Sequence, residues 1–92
     1  MGKAIMTIKI MPESVEADLD KIQEKALEVI QEATNTSDTK TEQEPIAFGL
    51  KALKITFIID ENNADPEALE KTISEIDSVN SVETVDVRRT VG

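Results

Sequence analysis

Leu50-Lys51-Ala52-Leu53-Lys54-Ile55-Thr56-Phe57-Ile58-Ile59-Asp60 decides the fold. Leu53, Ile55, Phe57 and Ile59 recur at a period of two and share one face; Ala52, Lys54, Thr56 and Ile58 share the other. A strand so apolar on one side and mixed on the other needs a packed layer over the first side only. The start of the chain repeats the pattern. Ala4, Met6, Ile8 and Ile10 fall on one face, Lys3, Ile5, Thr7 and Lys9 on the opposite one, and Pro12 ends the run.

Between these strands Val15, Leu19, Ile22, Ala26, Val29, Ile30 and Ala33 recur at helical spacing, with acids and lysines between them. Ser14 is placed to cap this helix, and Glu16 to sit near its positive end. The polar stretch from Thr34 to Glu44 reads as loop on pattern alone. After Asp60, Asp60 to Asn63 carries turn residues. Asp65-Pro66 reads as a cap followed by proline at the first helical position. Leu69, Ile73 and Ile76 line a second helix, and Val82 to Arg89 reads as a last strand.

Charge and residue usage narrow the function. Ninety-two residues with a net charge of −9 make one small domain, residues 1–92. An acidic chain is repelled by phosphate backbones, so direct nucleic-acid binding is not expected, and a partner with basic surfaces is. Cysteine and histidine are both absent. That removes thiol chemistry, thiolate metal sites and the usual general base, and it suits a reducing compartment. The acids at Glu13, Glu16, Asp18 and Asp20 spread around a helix and make no oxygen cage. Asp60 to Asp65 lacks the glycine and the terminal glutamate of a calcium loop. No metal or cofactor is expected. No apolar run approaches the roughly 20 residues of a membrane span, and nothing near Met1 reads as a signal sequence.

Two places stand out. The first is Pro45-Ile46-Ala47-Phe48-Gly49-Leu50-Lys51. Phe48 and Phe57 are the only aromatics, and Phe57 has a core place in its strand while Phe48 sits beside a glycine before the strand begins. One reading is a tight turn shaped by Pro45 and Gly49. The other is an aromatic anchor offered to a partner pocket. The second place is Arg88-Arg89, the only arginines in the chain. They read either as a solvated chain end or as a directed contact to phosphate or carboxylate.

Three segments in order, Ile8-Lys9-Ile10-Met11-Pro12-Glu13-Ser14, Glu44 to Leu53 and Val82 to Arg89, resemble the guanine-nucleotide exchange domain of translation elongation factor 1-beta in its short archaeal form. The resemblance covers nearly the whole chain. It implies a second strand in the later half of Thr34 to Glu44, at a sheet edge. The order becomes β-α-β-β-α-β, a ferredoxin-like α+β sandwich in which a four-stranded antiparallel sheet carries both helices on one face. Ile8, Ile10, Ile22, Val29, Leu53, Ile55, Phe57, Leu69, Ile73 and Val85 are then expected in the core. Ile5, Thr7, Lys9, Lys54, Thr56, Thr84 and Arg88 are expected on the open face.

The resemblance also implies a function: exchange of guanine nucleotide on the elongation factor 1-alpha GTPase, in the cytoplasm, by a factor that is monomeric when free and performs no covalent chemistry. It places partner contacts at Pro45, Ile46, Phe48, Gly49 and Lys51, and at Asp86, Arg88 and Arg89. Eukaryotic relatives direct a lysine near the C-terminus toward the GTPase's magnesium site. That position falls near Gly92 here, and no lysine follows Lys71, so Arg88 or Arg89 is the candidate replacement. The alternative is a small ligand-sensing, scaffold or dimerisation module, since fold does not fix function. An acylphosphatase would want an arginine after the first strand, where Met11-Pro12-Glu13-Ser14 has none.

Overall fold

The computed structural model describes residues 3–34, 39–60 and 66–90. The turn and cap expected at residues 61–65 lie outside them. The elements run β1 (Lys3–Pro12), α1 (Leu19–Thr34), β2 (Thr39–Pro45), β3 (Lys51–Asp60), α2 (Pro66–Ser74) and β4 (Val79–Thr90). The sheet is four-stranded in the order β2-β3-β1-β4, and every neighbouring pair is antiparallel. The two most apolar strands lie side by side at the centre, as the ferredoxin-like order requires. β2 is polar and short because it is an edge, where one side of the ladder faces water.

The core occupies one face. Ala4, Met6, Ile8 and Ile10 of β1 and Leu53, Ile55, Phe57 and Ile59 of β3 pack in one cluster with Ile22, Ala26 and Ile30 of α1 and Leu69 and Ile73 of α2. Val29, half-buried, lies against its margin. The opposite face mixes an apolar pair, Ile5 opposite Ile58, with polar ones. Glu42 stands opposite Lys54, Lys54 opposite Lys9, and Lys9 opposite Glu83, so acids flank the two facing lysines across four strands. One row on, the hydroxyls of Thr7 and Thr56 lie 3.1 Å apart.

Three expectations are corrected. The first helix begins at Leu19, and its cap is Asp18, not Ser14. The Asp18 carboxylate accepts from the N–H groups of Asp20 and Lys21 at 3.1 and 3.3 Å. It satisfies two donors that the first turn leaves open. Ser14 instead accepts from the Glu16 N–H in a separate turn at 3.3 Å, so Val15 and Glu16 lie before the helix. Val85 is not core: it is 42% exposed. Thr84 is not on the open face: it stands opposite Ile8, on the helix side. One cause explains both. The β1–β4 register steps between Thr7↔Asp86 and Ile8↔Thr84, leaving Val85 as the extra residue of a bulge. A single inserted residue reverses which face the rest of the strand presents.

Candidate functional site

β2 and β3 meet at a corner built by backbone bonds. Pro45 pairs with Lys51. The Ile46 N–H then donates to Leu50 O at 2.8 Å, and the Leu50 N–H to Ala47 O at 3.2 Å. These close a single 3₁₀ turn over Ala47–Gly49. Inside it Phe48 has φ 63° and ψ 29°, and Gly49 follows at φ 77°. Glycine takes such a conformation without cost, whereas an L-residue with a bulky side chain is strained there by roughly 1–2 kcal/mol. The Phe48 ring gains nothing from the fold in exchange, being 94% exposed. Of the two readings, the geometry supplies the turn: a hydrogen-bonded corner that holds an aromatic side chain out in solvent.

The corner has a neighbour that its sequence did not reveal. A Cβ placed on Gly49 would lie 3.8 Å from Val15 Cγ1, so Val15 rests beside the turn. Val15 is itself 62% exposed. The two segments border a cleft of about 190 Å³ lined by Pro12, Ser14, Val15, Leu19, Gly49 and Lys51 among others. Helical periodicity had assigned Val15 to the buried stripe of α1. The proline at position 12 and the serine–glutamate turn after it were the signals that the helix starts later.

The arginines lie elsewhere. Arg88 stands opposite Ile5, on the open face, and Arg89 opposite Ala4, on the helix side. Adjacent strand residues point to opposite faces, so the two guanidinium groups do not form one paired site. Arg88 Nε donates to Asp86 Oδ2 at 3.0 Å, and both side chains are largely exposed. The cross-strand rows place this pair level with Ile58 of β3. From there to Lys51 is about 24 Å of strand, and β4 is at the opposite edge from β2. The structure therefore gathers Pro45, Ile46, Phe48, Gly49 and Lys51 at one corner and Asp86, Arg88 and Arg89 at the diagonally opposite one. Among the described residues, no group of three or more acidic, histidine or cysteine side chains is placed to hold a metal ion.

The two corners are thus a solvent-exposed aromatic turn and an exposed arginine–carboxylate pair. The chain's match to known proteins is extensive. The EF-1 guanine nucleotide exchange domain family matches residues 5–90. The chain belongs to that family. Among relatives of the exchange-domain family, elongation factor 1-beta of Methanothermobacter thermautotrophicus is 40% identical over 89 residues, covering 97% of this chain and 98% of its own. Elongation factor 1-beta of Methanosarcina barkeri is 42% identical over 89 residues, covering 97% and 99%. That of Haloarcula marismortui is 43% identical over 82 residues, covering 89% and 91%. The match spans both corners of this exchange domain, the Phe48 turn and the Arg88 strand. No helix among the described residues is long and apolar enough to cross a membrane.

Proposed function

We infer that this protein promotes release of GDP from elongation factor 1-alpha during translation elongation. The observation that carries the reading is the exchange-domain match from residue 5 to residue 90. An exchange factor binds a GTPase conformation in which the nucleotide is poorly held. Because coupling is reciprocal, nucleotide rebinding must weaken the factor's own hold by the same factor, and incoming GTP expels it. Such work needs shape and charge and no covalent chemistry, which fits a chain without histidine or cysteine. The factor acts as a monomer, in the cytoplasm, without contacting nucleic acid.

The two corners divide the task. Pro45, Ile46, Phe48, Gly49 and Lys51 form the anchor, in which the strained turn fixes the ring's direction before the partner arrives. A side chain held in place beforehand loses less entropy on binding. Asp86, Arg88 and Arg89 meet a second region of the GTPase, close to phosphate or magnesium. The Asp86 carboxylate holds the Arg88 side chain along the strand, and Arg88 takes the place of the lysine that eukaryotic relatives carry nearer the C-terminus. The test is release of a fluorescent GDP analogue from the cognate elongation factor 1-alpha. Release should accelerate with added protein and saturate; an unchanged rate at saturating protein would end the reading.

A further inference from the structure

Among the described residues, the large apolar side chains most open to solvent are few, and two of them come from neighbouring turns. Phe48 and Val15 come from turns far apart in sequence, yet Val15 rests against Gly49, the residue after Phe48. Both supports are internally bonded. Ile46 and Leu50 close the Phe48 turn, while the Ala17 N–H donates to Ser14 O at 3.2 Å in the turn that carries Val15. The backbone beneath both side chains is thus held, and the side chains remain uncovered by the fold.

The surroundings of this apolar patch carry one sign of charge on one side. Glu13, Glu16 and Asp18, all exposed, bracket Val15 in sequence, and Lys51 lines the same cleft as Val15. A surface that matches this patch has an apolar socket with a basic rim facing the glutamates. We propose that Val15 is the second half of the anchor, docking beside Phe48 into an apolar socket of elongation factor 1-alpha, whose rim on that side is basic and faces Glu13 and Glu16. The proposal rests on the reading that Phe48 meets this GTPase. It adds a contact from the turn between β1 and α1, which sets the angle at which the ring enters as well as its depth.

The test is equilibrium binding of the full chain to nucleotide-free elongation factor 1-alpha of the same source, with thermal unfolding measured on each variant. Val15→Ser removes the apolar contact and should weaken binding about tenfold. Val15→Thr keeps the branched shape, adds a hydroxyl, and should weaken it severalfold; both variants should unfold near the wild-type temperature because Val15 is exposed. The double variant Glu13→Gln, Glu16→Gln should bind more weakly and with less dependence on salt. If Phe48→Ala weakens binding while both Val15 variants bind like wild type, the proposal is overturned and the reading of Phe48 stands. Tighter binding by the Glu13, Glu16 variant would overturn the basic rim. If the wild-type chain fails to bind at all, the functional reading falls first and takes this proposal with it.

Discussion

Phe57 and Phe48 are the same residue type in opposite situations. Phe57 is 1% exposed at the centre of β3, so Phe57→Ala should cost about 3–5 kcal/mol in denaturant unfolding. Phe48 contributes no burial and occupies a backbone region that suits glycine. Phe48→Gly relieves that strain but frees the unfolded chain, and the two effects nearly offset. Its stability should stay within about 1 kcal/mol of wild type, while GDP release slows markedly. A loss of stability comparable to that of Phe57→Ala would show that Phe48 is held by the fold and is not an anchor. Thr84 presents a third case. Its hydroxyl is buried on the helix side of β4 and has no hydrogen-bond partner among the described residues. Removing an unmatched buried polar group is favourable, and valine suits a strand, so Thr84→Val should raise stability by about 1 kcal/mol. Unchanged or lower stability would place another partner on that hydroxyl.

At the scale of elements, α1 is held by its core face and opposed by its charges. Asp20, Glu24, Glu28 and Glu32 recur every four residues along its exposed side. Like charges at that spacing are destabilising by a few tenths of a kcal/mol per pair. The last turn has no basic residue to offset the negative helix end. Burial of Ile22, Ala26 and Ile30, each at most 2% exposed, outweighs these terms, because each isoleucine alone is worth about 1.5–3 kcal/mol. Glu32→Lys turns one repulsive pair into an attractive one and complements the helix end. It should raise stability by about 0.5–1.5 kcal/mol at low salt, and the gain should shrink in 1 M salt as the charges are screened. A gain independent of salt would mean that the acid ladder is not its source. In β4 the bulge at Val85 governs everything after it, turning Arg88 to the open face and Arg89 to the helix side.

At the scale of the whole molecule, the two proposed contact corners at opposite ends of one sheet should act independently. Phe48→Ala is expected to reduce partner affinity by roughly 2 kcal/mol, and Arg88→Ala to slow exchange. Groups this far apart usually contribute additively, within about 0.5 kcal/mol. Exchange measured on both single variants and the double variant tests this, and strong non-additivity would mean that the corners do not dock separately. The central strands and the existence of both helices were legible in the sequence, because period-two and helical patterns are local properties of neighbouring residues. So was the position of Phe48 on a turn, since Pro45 and Gly49 act on their own backbone. The start of α1 was less so: Ser14 and Asp18 are both good caps, and only the packing of Leu19 and Ile22 against the sheet selects Asp18. The bulge left no local mark, because Val85 alternates acceptably in either register and the step becomes visible only when β4 is laid against β1. For the same reason, adjacency in sequence made Arg88 and Arg89 look like one site, and distance in sequence hid Val15 from Phe48. The chain by itself determined which segments bury and which turn. The tertiary structure decided which exposed residues become neighbours, since face and proximity depend on register between strands far apart in sequence.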